Sequence, residues 1–351
     1  VNVYVVKSKE SSEELSDMVD EFCKGNEKVI IESRDDIHDL KNKKVVFAAQ
    51  LDGIGVDRFI LDVLLELRKR GDDSMEGAMG AVLIHSNSEL YTKSAMNHIV
   101  FTANLMGCSF MGHPGLEIIS GYKNLMTWKK VYPDKSLHDI NLLLSQGASR
   151  RFFKNELSKV KSPKMTVLHA SSRKTSNTLM LWNYIEEEIL KHDCEVNQIH
   201  IENSDMKDCR GCSFKMCKHY GEQTSCFYGG LVVDEVFPAV EESDCIVFIC
   251  PNYNDSISAN LMALINRLTA LYRKMMFYDK TVFAVIVSGN SGSDSVARQL
   301  IGALNINKGF RLPSKFAIME LANDPGSIKS IKGIKEKAAD FANHMLSEIK
   351  K

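Results

Sequence analysis

The sequence repeats itself, and that constrains the fold more than any other feature. The apolar run Val45-Val46-Phe47-Ala48-Ala49 has a counterpart in Ile246-Val247-Phe248-Ile249-Cys250. Without gaps, Val56, Ile60-Leu61 and Leu67 then fall opposite Ile257, Leu261-Met262 and Leu268. Ala81-Val82-Leu83-Ile84-His85 matches Ala284-Val285-Ile286-Val287-Ser288, each run leading into a small polar loop and a helix-like stretch. Both halves next reach a glycine and a phenylalanine, Gly107 with Phe110 and Gly309 with Phe310. Shared order and spacing over several elements mark a tandem repeat, so the chain must hold two copies of one architecture.

Near-continuous apolar runs between amphipathic segments predict parallel strands covered on both faces. Five fall in the first half, near residues 2–6, 28–32, 44–49, 79–85 and 115–119. Five fall in the second, near 165–170, 196–201, 245–250, 281–288 and 315–321. Leu15, Met18, Val19 and Phe22 mark the first helix by their i, i+3, i+4, i+7 spacing, and a closing helix runs from about Ile331. The stretch between Pro133 and Pro163 reads as a helical connection, giving expected domains at 1–150 and 163–351.

The formal net charge of the 351 residues is -1, which supplies no global field for nucleic acid or an anionic membrane. No apolar run approaches the length of a membrane span. Val1 to Val6 is apolar but short and is followed at once by charge, which reads as a strand and not a signal peptide. Nine cysteines without a secretory signal read as reduced thiols or metal ligands, so a cytoplasmic setting is expected.

The strand Met165–Ala170 breaks into Ser171-Ser172-Arg173-Lys174-Thr175-Ser176-Asn177-Thr178, and a segment with Leu181, Tyr184, Ile185 and Ile189 on one helical face follows. Strand, hydroxyl-rich loop and helix start is a geometry that binds phosphate, through helix-terminal N–H groups, side-chain hydroxyls and a cation. A serine-rich loop capping a buried helix with no ligand has the same local pattern. The run A-S-S-R-K-T-S-N-T resembles the phosphate loop G-S-P-R-K-x-G-N-T of the flavodoxin-like NADPH-dependent FMN reductase family, with both glycines and the proline replaced. The resemblance implies tandem flavodoxin-like doubly wound sheets of strand order 2-1-3-4-5. It also implies that Ser171, Arg173, Ser176, Asn177 and Thr178 hold the phosphate of FMN.

In such sheets ligands sit beyond the carboxyl ends of the strands. The loop Cys250-Pro251-Asn252-Tyr253-Asn254-Asp255-Ser256-Ile257-Ser258, with Asn266-Arg267 on the next helix, is similar to the family's T-P-x-Y-x-x-S-x-S loop and I-D-R helix. Tyr253 offers the flavin a flat face, Pro251 shapes the backbone, Asn252 and Asn254 can bond the polar flavin edge, and Ser256 belongs to the same loop. A tight strand–helix turn is the competing reading of these residues. The resemblance places Ser288-Gly289-Asn290 at the pyrimidine side of the ring. His85 and His169 stand at strand ends, and neither is assigned a catalytic role.

Cys209, Cys212, Cys217 and Cys226 lie within eighteen residues, between the second and third strands of the second half. Close thiolates suit an iron–sulfur cluster or zinc. The related iron–sulfur flavoproteins carry a compact cysteine motif here, but with shorter second and third gaps. Metal-free thiols, with Arg210, Lys215 and Lys218 nearby, are the preferred reading. The first half carries Lys7-Ser8-Lys9-Glu10-Ser11-Ser12-Glu13-Glu14 after its first strand and Gln50-Leu51-Asp52-Gly53 after its third. Its carboxylates would repel a phosphate, so the first half is expected to be a degenerate copy without cofactor.

The function expected is an FMN-dependent oxidoreductase. It would carry electrons from NAD(P)H or a protein donor to a quinone, a nitro compound, another small-molecule acceptor or a redox protein. A non-enzymatic FMN electron carrier, with or without a cluster, is the alternative. Homo-oligomers are common in the family and are expected here; nucleic-acid and membrane partners are not.

Overall fold

The computed structural model describes residues 2–154, 159–171, 175–201 and 206–351, and the chain divides into two compact units, 1–156 and 157–351. The first unit contains β1 (Asn2–Lys7), α1 (Glu13–Cys23), β2 (Glu27–Ile31), β3 (Lys44–Leu51), α2 (Arg58–Arg70), β4 (Met79–Ser86), α3 (Thr92–Leu105), β5 (Ser109–Ile119) and α4 (Leu137–Lys154). The second begins with β6 (Lys164–His169), α5 (Asn177–Ile189), β7 (Glu195–His200), α6 (Phe214–Glu222), α7 (Phe237–Glu242) and β8 (Cys245–Pro251). It continues with α8 (Ala259–Tyr272), β9 (Thr281–Ser288), α9 (Ser293–Leu300), β10 (Ala317–Leu321) and α10 (Ile334–Ile349).

The sheets run β2-β1-β3-β4-β5 and β10-β9-β8-β6-β7, with every pairing parallel. Within each unit that is the order 2-1-3-4-5, the flavodoxin-like doubly wound arrangement, with helices against both faces. All residues of β8 and of β9 are buried, which is why these strands read as unbroken apolar runs. On α1 the buried residues are Leu15, Met18, Val19, Phe22 and Cys23, and Ser12 caps the helix by accepting from the Leu15 N–H.

The fifth strand departs from the expected 115–119. Ser109 and Phe110 already pair with Met79 and Gly80; the register then shifts, and pairing resumes from Gly115 opposite Val82. The second unit repeats the break: Arg311 bridges Thr281, and β10 pairs only from Ala317 opposite Ala284. At both breaks a side-chain-bearing residue turns to positive φ, His113 (53°) and Lys315 (44°). A two-residue periodicity cannot announce such a bulge, because the chain leaves the ladder there.

The units differ most between their second and third strands. Twelve residues, 32–43, join β2 to β3, whereas 201–244 join β7 to β8 and include α6, α7 and the four clustered cysteines. The following helices record the difference. Ile60, Val63, Leu64 and Leu67 of α2 are buried, as are their counterparts Leu261, Leu264, Ile265 and Leu268 of α8. On α8, Ala263, Arg267 and Ala270 are buried as well. The corresponding α2 residues Asp62, Glu66 and Lys69 stay at the surface in ion pairs, Asp62 with Arg34 and Glu66 with Lys69.

A candidate flavin cleft at the carboxyl edge of the second sheet

The loops after β6, β8, β9 and β10 meet around a cleft of about 710 Å³. Ser171, Thr175, Ser176, Asn177 and Thr178 form one wall. Ser176 caps α5: its Oγ accepts from the Leu179 N–H at 3.4 Å and donates to Ser171 Oγ at 3.2 Å. The first turn of α5 thus brings N–H groups and two hydroxyls to one place, a local arrangement suited to an anion. Arg173 lies outside the described residues. Asn177 lines the cleft, but its amide is engaged elsewhere. Nδ2 donates to the carbonyls of Ala322 (3.0 Å) and Asp324 (2.8 Å), and Oδ1 accepts from the Ile328 N–H (3.2 Å). It ties α5 to the loop after β10.

That loop is the part of the site which sequence reasoning missed, since Ala322, Asn323 and Pro325 line the cleft. Its signal was present as Asn323-Asp324-Pro325-Gly326, turn chemistry at the end of a fifth strand. Asn260 was missed too; it lines the cleft from α8 and donates to the Ile201 carbonyl at 3.3 Å.

Pro251, Asn252 and Tyr253 form the opposite wall, and Gly289 contributes from the loop after β9. Asn254, Ser256, Ser288 and Asn290 do not line it. Asn254 and Asp255 have φ of 53° and 55°, and Tyr253 and Ser256 exchange backbone hydrogen bonds at 3.1 and 3.4 Å. This is a two-residue hairpin loop of the type I′ kind, which Asn and Asp adopt at small cost. It leaves Tyr253 61% exposed on the rim.

Asn252 holds the two loops together. Its Nδ2 reaches Ser291 O at 2.9 Å, Ser288 Oγ at 3.0 Å and Asp255 Oδ1 at 3.2 Å, and Ser288 Oγ bonds Ser293 Oγ at 2.6 Å. Gly292, at φ 87°, completes the junction: a Cβ there would fall 1.8 Å from Asp255 Oδ1. Among the described residues, Asn252 Oδ1 and Ser258 Oγ are buried without a hydrogen-bond partner. Orphaned polar atoms at a cleft wall are groups that a polar ligand can satisfy.

Beneath the α5 loop, the Trp182 indole donates to Gln198 Oε1 at 3.1 Å, and Gln198 Nε2 meets His169 Nε2 at 3.1 Å. The indole is donor-only, so the Gln198 amide must turn its NH₂ to the ring, which makes His169 Nε2 the acceptor. His169 stacks on His200 with centroids 4.7 Å apart. Burial first, and His200 second, push its pKa down to about 4, against the Ser171 backbone, which acts the other way. His169 is therefore a neutral support of the loop.

Cys209, Cys212, Cys217 and Cys226 do not converge. Among the described residues no three Cys, His, Asp or Glu side chains are arranged to hold a metal ion. The loop is organised by hydrogen bonds instead. The buried Arg267 guanidinium donates to Gly229 O at 2.6 Å and to Lys207 O at 3.5 Å, and Asn266 donates to Asp208 Oδ1 at 3.0 Å. The Asn266-Arg267 pair thus clasps both ends of the cysteine loop onto α8.

In the first unit the equivalent positions close on one another. Ser12, Gln50 and His85 occupy the places of Ser176, Pro251 and Ser288 in the repeat. His85 Nδ1 lies 2.9 Å from Ser12 Oγ and 3.0 Å from Gln50 Oε1, which also accepts from the Ser12 N–H at 3.1 Å. Burial lowers the His85 pKa, so the ring is neutral within this knot.

The second unit is therefore a flavodoxin-like domain with an open polar cleft at the carboxyl edge of its sheet. Residues 163–324, most of that unit, match the family model described as NADPH-dependent FMN reductase. An iron–sulfur flavoprotein of Archaeoglobus fulgidus is 28% identical over 141 residues, covering 39% of this chain and 66% of that protein, just under two thirds of its length. Among solved structures, the azoreductase of Bacillus anthracis str. Sterne matches with a TM-score of 0.40 and 15% identity over 52% of this chain and 99% of its own. The NAD(P)H:quinone oxidoreductase of Methanothermobacter marburgensis matches with a TM-score of 0.39 and 13% identity over 53% and 96%. Among the described residues no helix is long and apolar enough to cross a membrane.

Proposed function

We propose that the second unit binds one FMN in this cleft and acts as an oxidoreductase, taking electrons from NAD(P)H or a protein donor and passing them to a quinone, a nitro compound or another small acceptor. The observation that carries the proposal is the convergence of four loops of one sheet edge on a cleft with two complementary walls. One wall presents hydroxyls and the start of a helix, and the other presents an exposed tyrosine beside the orphaned Asn252 Oδ1 and Ser258 Oγ. Bound FMN supplies hydride and single-electron chemistry; the protein binds and orients it. Ser171, Ser176 and the first N–H groups of α5 would hold the phosphate. Pro251, Asn252 and Tyr253 would fix the ring, and Tyr253 would shield one face from water. The knot of Ser12, Gln50 and His85 supports a first unit without flavin. Because the four cysteines do not converge, no step is assigned to a cluster.

The test is titration of the flavin-free full chain with FMN under argon, followed by NADH and NADPH oxidation with a quinone. One equivalent of FMN per chain and acceptor-dependent turnover are expected. No binding, or two equivalents, refutes the assignment; binding without turnover from either nucleotide refutes the nicotinamide donor.

A further inference from the structure

We propose that Cys209 and Cys212 form a dithiol that reduces disulfides of small anionic thiols. Both cysteines sit in the loop that Arg267 clasps onto α8, which presents them on a fixed frame. Cys209 is exposed; Cys212 is half-buried, with its Sγ 3.8 Å from the Tyr228 hydroxyl. Elsewhere, Cys23, Cys108, Cys245 and Cys250 are buried in the two cores, beyond the reach of a dissolved disulfide.

The surroundings select for negative charge. Lys207, Arg210, Lys215, Arg273 and Lys308 have no acidic partner in ion-pair range among the described residues, and all but Lys308 are exposed. Lys308 lies within electrostatic reach of both Cys209 and Arg273, and Arg273 stands over the exposed Phe214 ring at 4.7 Å. Unpaired cations around a thiol draw in an anionic reactant and repel a cationic one. Between the two cysteines lie Arg210 and Gly211. Gly211 is at φ 73°, a left-handed turn between the two cysteines that glycine adopts without strain. No hydrogen-bonded turn fixes residues 209–212, and closing the bond draws Cys209 toward Cys212.

The reaction is thiol–disulfide exchange. The Cys209 thiolate attacks one sulfur of RS–SR; the substrate S–S bond breaks, one RS⁻ leaves and takes up a proton, and Cys209 carries SR. The Cys212 thiolate then attacks the Cys209 sulfur, forms the Cys209–Cys212 bond and expels the second RS⁻. One substrate disulfide gains two electrons, and two protein thiols lose two electrons and two protons.

The test uses the reduced full chain with oxidised glutathione, an anionic disulfide, and cystamine, a cationic one. Intact mass and peptide mapping of alkylated samples report the products. With oxidised glutathione the wild type should lose two alkylatable thiols, mapped to Cys209 and Cys212. Cys212→Ser should stop with one glutathionyl group on Cys209. At low salt oxidised glutathione should react about tenfold faster than cystamine, a preference that Lys308→Gln with Arg273→Gln narrows. Circular dichroism confirms that these variants are folded, and Cys217→Ser should behave as wild type. Modification spread over other cysteines, equal rates with both disulfides, or stoichiometric iron or zinc released by Cys212→Ser would each overturn the proposal.

Discussion

Asn252→Ala should loosen the cleft before any ligand is added. The Asn252 amide nitrogen has two hydrogens and three acceptors in range, Ser291 O, Ser288 Oγ and Asp255 Oδ1, so two bonds form at a time. At about 1 kcal/mol for a neutral bond and roughly twice that for one to a carboxylate, the loss amounts to about 2–3 kcal/mol. In a domain of this size that is a fall of about 5–10 °C in Tm. The chain has two tryptophans, and a Trp128→Phe background leaves Trp182, buried under the α5 loop, to report the second unit alone. Its fluorescence during thermal unfolding gives the shift, and FMN titration gives the change in affinity. Asn252→Asp sharpens the test. The new carboxyl would face Asp255 and a carbonyl oxygen, which raises its folded-state pKa above the unfolded value. The penalty is then present at neutral pH and fades as the pH falls through the folded pKa, where the protonated acid donates again. An unchanged Tm in Asn252→Ala, or a pH-independent penalty in Asn252→Asp, would refute this account of the junction.

Four further outcomes follow from the geometry. Asn177→Ala frees the loop after β10 and should raise proteolysis near residues 322–328 even in flavin-free protein, whereas a residue serving phosphate alone would change only FMN affinity. Tyr253→Ala should alter FMN fluorescence and potential more than its Kd, measured by titration and spectroelectrochemistry. Arg267→Ala should cost about 2–4 kcal/mol locally and expose residues 207–229 to protease while the sheet persists, as hydrogen exchange would register. His169, pushed down to about 4 by burial from the 6.5 of a free imidazole, binds fewer protons folded than unfolded between those values. Its contribution is therefore present above about pH 6.5 and lost as the pH falls toward 4, up to about 3 kcal/mol, and His169→Gln should flatten that limb of the stability curve.

The repeat and the central strands were legible because β3, β4, β8 and β9 are buried on both faces and admit almost nothing polar. The wall residues Ser171, Thr175, Ser176, Asn177 and Thr178, and Pro251 to Tyr253 opposite, lie in polar loops that the sequence showed following such strands. The breaks at His113 and Lys315 were not, since each depends on what an adjacent strand leaves unpaired. Asn177 and Arg267 show a second limit. Both residues stand in motifs that suggest a ligand, yet their side chains hold backbone carbonyls brought close only by the folded chain. Asn323 was missed for a different reason: its Asn-Asp-Pro-Gly run marks a turn, but nothing local ties a loop after β10 to a cleft built largely from β6 and β8.

The faces of α2 and α8 amount to instructions for redesign. A version of the second unit cut back to a twelve-residue link between β7 and β8, as between β2 and β3, would shed its clustered cysteines and leave Ala263, Arg267 and Ala270 facing water. The first unit supplies the substitutions such a helix requires, Asp, Glu and Lys at those three places, with an arginine in the shortened link to meet the aspartate as Arg34 meets Asp62.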